Sequence, residues 1–336
     1  MKNIFGIFFS LFFMLTFGQK DTITFKNKDV IVGELKVMES NVLIFKTSYS
    51  DKDFNIEFDK ITHLNLEHRY TISFSNGVRA YGFIKTNKDN KVIVTQSDNS
   101  TIEVRIDQIV SLRKIDEGFW HHFKGSFDFG YVLTQTNNSQ QLNFAGTLNY
   151  YSENWTQRAQ YNQLFSRQDD VEDIRRIDAS FESKRYLKNN WFIYANISFL
   201  SNTSQDLEGR LTPSFGPGNY LVRNNKLFFL VGTGLTYNIE QYTDSADNKT
   251  STEAIVLTQF SMFNFKNISL FTSLAGYPSL SEKGRFRAGV NSNVKFDLPF
   301  DFYFKTELQV NYDNQPFPSN IKTDYVFSTG VGWELK

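Results

Sequence analysis

Acid–base chemistry near neutral pH asks first for a histidine, and these 336 residues hold only four: His63, His68, His121 and His122. None follows residue 122, so the many serines of the last two-thirds have no imidazole to take a proton. Asp169, Asp170, Glu172 and Asp173 could serve a hydrolase working with carboxylates alone, although an acidic run in a loop is ordinarily solvated surface. His121 and His122 adjoin, and neighbours on a strand face opposite ways, which makes a poor chelate without further ligands. The absence of cysteine removes disulfides, thiolate metal sites and cysteine nucleophiles. Gly216-Pro-Gly218 and Gly232-Thr-Gly234 are spelled like phosphate loops, yet the second lies inside an FFLVGTGLTYN strand pattern with no helix after it. Small residues making room for bulky neighbours explain both better. The expectation is a chain without catalytic residues, cofactor or metal.

The elements around these residues read as strands. Lys plus Arg and Asp plus Glu both number 36, a balance that gives no field for nucleic acid. Phenylalanine (35) and tyrosine (16) are abundant and proline (6) is scarce, as strands require. Residues 1–19 have the layout of a secretory signal peptide: Lys2, an apolar stretch from Ile4 to Phe17, then small and polar residues, with cleavage expected near Gly18 or Gln19. No later apolar run reaches the length of a transmembrane helix. An exported chain of this kind is either soluble outside the inner membrane or a β-barrel, whose alternating strands escape hydropathy.

Residues 20–117 carry an internal duplication. TITFKNKDVIVGELK (22–36) aligns with TISFSNGVRAYGFIK (71–85), and FDKITHL (58–64) with IDQIVSL (106–112). The repeats, about 22–66 and 71–115, predict a tandem of small SH3-like or Sm-like β-barrels, a periplasmic spacer or docking module.

From residue 118 to 336 the pattern changes to twelve alternating segments, at 123–134, 140–151, 154–165, 174–187, 190–200, 206–222, 226–240, 252–263, 267–276, 284–298, 301–313 and 322–335. Their even number and their length suit a transmembrane barrel. Every second link is tight (SEN, KNN, RNN, NFKN, LPFD), and those between are longer, such as 166–173, 242–251 and 314–321. Trp120, Trp155, Trp191 and Trp333 all fall at the tight-link end, where a membrane-interface belt is expected, with Tyr151, Tyr186 and Tyr220 joining them. Tyr131, Tyr161, Tyr237, Tyr277 and Tyr312 suggest the opposite girdle. One face of each segment is apolar. The other carries both signs of charge, which places Arg176, Asp178, Glu182, Glu208, Arg210, Arg285, Arg287, Lys305 and Glu307 toward a lumen where they can pair. The last segment should pair with the first and close the sheet.

Lys184-Arg185-Tyr186, Leu207 to Arg210, Gly216-x-Gly218-x-Tyr220, and Gly232-x-Gly234 followed by Glu240 lie in a stretch that resembles the domain of unknown function 481 family, salt-induced outer-membrane proteins. The likeness runs from about residue 119 to the end and leaves the duplicated module outside it. It implies an exported outer-membrane β-barrel and brings no catalytic residues. The fold expected is all-β: a 12-stranded antiparallel transmembrane barrel preceded by the tandem module, in the outer membrane of a Gram-negative bacterium with the module in the periplasm. Its partners would be outer-membrane lipid, the outer-membrane assembly machinery, and a periplasmic protein bound through residues 20–117. The function expected is non-enzymatic, either a narrow pore for small solutes or an anchor for the module. The alternatives are a hydrolase lacking histidine and a soluble periplasmic ligand-binding protein.

Overall fold

The computed structural model describes residues 20–114, 122–135, 138–244, 248–265, 267–315 and 322–333. The signal-peptide reading, Trp120 and His121 lie outside them. Strands make up about three-quarters of it, and among the described residues the only helices are short 3-10 turns.

The first part is a nine-stranded sheet: β1 (Asp21–Phe25), β2 (Val30–Glu39), β3 (Val42–Lys46), β4 (Phe54–Glu57), β5 (Ile61–Phe74), β6 (Arg79–Thr86), β7 (Lys91–Gln96), β8 (Thr101–Arg105) and β9 (Ile109–Lys114). The two aligned stretches use the same order of elements. A 3-10 turn at Phe58–Lys60 precedes the first part of β5, and another at Ile106–Gln108 precedes β9. The start of β5 pairs with β1, and β9 pairs with the end of β5. Where two separate small barrels were expected, β5 runs through the junction and fuses the halves, with a register shift between Leu66 and Tyr70. One apolar core, from Ile23 and Leu35 through Ile72 to Ile109 and Leu112, serves both halves. Within it Asp21 is 0% exposed. Its carboxylate accepts from Leu35 N (2.8 Å), Glu67 N (2.9 Å) and the Tyr70 hydroxyl, with His68 Nδ1 at 3.1 Å. A buried carboxylate is tolerable only with its lone pairs filled in this way.

The second part is a 12-stranded antiparallel sheet in chain order: β10 (Phe123–Thr134), β11 (Ser139–Tyr151), β12 (Trp155–Gln168), β13 (Val171–Tyr186), β14 (Trp191–Asn202), β15 (Leu207–Arg223), β16 (Leu227–Tyr242), β17 (Lys249–Phe265), β18 (Ile268–Pro278), β19 (Phe286–Asp297), β20 (Phe302–Asp313) and β21 (Thr323–Trp333). All twelve expected segments are present. Side chains from every strand between β13 and β20 line one internal cavity, so the sheet curls around it. Its burial is inverted relative to the module. Thr236, Asn238, Glu240, Ser251 and Glu253 are buried on the inner face, while Phe127, Ile197, Phe215, Leu235, Val256 and Phe327 are exposed on the outer one. No second layer covers that apolar band among the described residues.

Two expectations need correction. Residues 166–173 are mostly strand: the β12–β13 link is only Asp169 and Asp170, with Asp170 in the left-handed region (φ 62°). Aspartate tolerates that conformation, and the cross-strand pair Arg167–Asp173 (2.8 Å) carries the hairpin outward. The length asymmetry of the links persists in 243–248, 279–285 and 314–322. The second correction concerns closure: among the described residues no ladder joins β21 to β10, and both remain edge strands with exposed side chains.

Candidate functional site

The tight links form a seat for the module. Asn225 Nδ2 donates to Asn41 Oδ1 (3.2 Å, buried), Lys226 Nζ lies 3.2 Å from Asp59, and Asn190 Nδ2 donates to the Ser75 carbonyl (3.1 Å). Gly77 has φ +83° and meets the backbone of Asn190 so closely that a Cβ would fall 2.2 Å from its nitrogen. This is a position only glycine fills. Two arginines of the module lie over rings of the sheet, Arg113 over Tyr151 (3.8 Å) and Arg79 over Tyr186 (4.3 Å). Burial pushes the Arg79 guanidinium below its ordinary value, against the pull of nearby Tyr186. The module thus covers the tight-link end of the curled sheet.

Inside the curl are cavities of about 490 and 370 Å³. Four of the nine expected lumen charges, Glu182, Arg210, Arg285 and Arg287, line these cavities, each beside an opposite charge, while Arg176 with Asp178 and Lys305 with Glu307 line two other recesses. Arg287 grips Glu253 with both nitrogens, Nε at 2.9 Å. Arg210 lies 2.9 Å from Glu240, which also accepts from the Tyr242 hydroxyl (2.9 Å). Arg176 pairs with Asp178 (2.8 Å), Lys184 with Glu182 (3.6 Å) and Lys305 with Glu307 (2.6 Å). Arg285, in the link just before β19, lines the same cavity as Arg210 and Arg287 and is held by Glu282 (2.7 Å) and Asp313 (2.8 Å). One placement differs from expectation. Glu208 is exposed and Leu207 buried, because the register shifts between Leu207 and Gly209 and reverses the alternation there.

The glycine doublets serve packing as expected. A Cβ on Gly218 would meet the Phe192 ring at 2.3 Å, and one on Gly216 would meet the Thr233 carbonyl at 1.9 Å. The first would have to displace the buried Phe192 ring, the second the backbone of β16.

The aromatic assignment divides. Trp155, Trp191 and Trp333 stand exposed on the outer face at the tight-link end. Tyr186 and Tyr220 instead face inward beneath the module, with Tyr151 under Arg113, so all three belong to the seat. Tyr131, Tyr237 and Tyr312 are exposed at the opposite end, but Tyr277 points inward against Arg287. Sequence reasoning missed Arg79, Arg113, Arg158, Lys184 and Arg223, which line one cavity at the seat. The available signal was the adjacent pair Leu221-Val222, both exposed: the register shift between Tyr220 and Val222 turns Arg223 inward.

His122 Nδ1 lies 2.8 Å from the Tyr151 carbonyl, and His63 Nδ1 lies 3.1 Å from the Thr62 hydroxyl. Asp173 is committed to Arg167. Among the described residues no cluster of three or more His, Asp or Glu could hold a metal ion.

No curated protein matches this sequence. The family model described as "Protein of unknown function, DUF481" matches residues 127–334, from within β10 to just past β21. The chain therefore belongs to the DUF481 family.

Proposed function

We propose that this chain is a non-enzymatic outer-membrane β-barrel that holds its N-terminal module over the periplasmic mouth. The observation that carries this reading is the inverted burial of the 12-stranded sheet: aromatic and aliphatic side chains all along its outer face, paired charges and amides within. Exposed apolar surface on this scale marks an interaction with something equally apolar, and hydrocarbon suits a continuous band better than one protein partner does. Under this reading the edges of β10 and β21 must pair in the bilayer, since lipid leaves no unpaired strand edge. Tryptophans at the tight-link end would mark the periplasmic interface.

The seated module favours an anchor over an open pore, because its arginines and the tight links close that end. The halves of the module are read as SH3-like or Sm-like units whose remaining surface meets a periplasmic partner. Envelope fractionation with a heat-modifiability gel tests the membrane assignment. The protein should sediment with the outer membrane and migrate compactly before boiling, whereas recovery in the soluble periplasm would overturn it. In planar bilayers it should be silent. Steps that change on neutralising Arg285 and Arg287 would establish a pore instead.

A further inference from the structure

We propose that the cavity between the module and the sheet binds a soluble phosphate-bearing anion through Arg79 and Arg223. It measures about 350 Å³, and five cationic side chains reach it: Arg79 and Arg113 from the module, Arg158, Lys184 and Arg223 from the sheet. Among the described residues two carboxylates line it, Glu39 and Glu182, and both are engaged. Glu39 holds Arg113 (2.9 Å) and Glu182 lies 3.6 Å from Lys184, while Arg158 donates to Asn149 Oδ1 (2.9 Å).

Arg79 and Arg223 remain. Among the described residues neither is paired with a carboxylate, and they share a ring: Arg79 lies 4.3 Å from the Tyr186 centroid and Arg223 5.7 Å, with Tyr220 at 4.8 Å from Arg223. Two guanidiniums drawn to one aromatic repel each other, and the ring's quadrupole offsets only part of that. Arg79 Nε is buried without a hydrogen-bond partner in the protein. Such a donor costs stability unless something accepts from it. The register shift that turns Arg223 inward likewise gives up regular pairing to aim a cation into the cavity.

An oxyanion answers these features together. Guanidinium forks match phosphate geometry, and a doubly charged group between them would remove the repulsion. The volume exceeds that of orthophosphate and admits pyrophosphate or a small phosphomonoester. The cavity lies on the inner side of the strands, away from the apolar band, so the phosphate belongs to a soluble ligand rather than a lipid headgroup. None of this requires the sheet to lie in a membrane.

The test is isothermal titration of pyrophosphate into the detergent-purified full chain, with thermal unfolding alongside. Binding and a raised melting temperature are expected. Arg79→Gln and Arg223→Gln should each weaken binding roughly ten- to a hundredfold, as loss of a charged hydrogen-bond partner does, and Arg285→Gln in the distant loop should bind normally. Arg223→Lys keeps the charge and loses the fork. It should remain heat-modifiable, hence folded, and still bind less tightly. The proposal is overturned if pyrophosphate gives neither heat nor thermal shift, if binding survives both glutamine variants, or if only phospholipid vesicles compete for the site. Recovery of the protein in the soluble fraction would end the membrane reading and leave this one standing.

Discussion

Replacing Phe215 by arginine distinguishes an outer face in lipid from one in water. Phe215 lies near the middle of β15, on the outer face opposite Leu235, and is 58% exposed. In water such a change trades one partly exposed side chain for another and stays within about 0.5 kcal/mol of neutral. In a bilayer the same position is near the midplane, where arginine on the lipid face of a barrel costs roughly 2–4 kcal/mol. At about 1.4 kcal/mol per decade, that lowers the folded-to-unfolded ratio by roughly 30- to 1000-fold. Leu221→Arg supplies the depth control: this residue is equally outward and exposed but lies toward the tight-link end, where the cost should fall to about 0–1 kcal/mol. The assay is reversible guanidinium unfolding from large unilamellar vesicles, read by tryptophan emission. Equal effects of the two substitutions, or a neutral Phe215→Arg, would refute the reasoning.

Three more expectations come from the same geometry. Asp21→Ala strands Leu35 N and Glu67 N at the module core, while the Tyr70 hydroxyl keeps the Leu35 carbonyl, and should destabilise it by roughly 2–5 kcal/mol in chemical denaturation; a loss below about 1 kcal/mol would mean water replaces the carboxylate. Arg287→Gln leaves Glu253, 0% exposed, without its guanidinium, and should cost roughly 3–5 kcal/mol, most of it recovered in the double variant with Glu253→Gln; additive losses would mean that the two side chains act separately. Hydrogen exchange in bilayers should protect the β10 and β21 amides as well as those of β15, whereas fast exchange confined to the two edges would mean that the seam stays open in lipid.

The twelve strands were legible because alternation with period two is a local property, and each boundary is set by residues within a few positions of it. The parity of individual side chains was not. A single register shift moves everything beyond it to the other face, so counting from mid-strand placed Glu208 inside and concealed Arg223, although Arg210, only two residues from Glu208, was placed correctly. The seat was hidden for a different reason. Asn41 and Asn225 are 184 residues apart, and no local pattern states that a tyrosine at a strand end will lie under an arginine of another domain. Tyr151, Tyr186 and Tyr220 therefore read as interface aromatics when they support the module. In the module the alignment gave the order of elements, but the unbroken path of β5 through residues 67–70 depends on pairing with β9, which the repeat does not encode.

The chain has no cysteine, so a single one introduced at each position from Leu211 to Leu221 takes one spin label. Collision rates with oxygen and with a nickel chelate in reconstituted vesicles then read each site along β15 directly. A lipid-facing outer surface gives oxygen maxima at Leu211, Pro213, Phe215, Pro217 and Asn219, with minima at the residues between, and nickel accessibility that is lowest near Phe215. Nickel access at Phe215 equal to that of an exposed aqueous site, or no alternation at all, would contradict it.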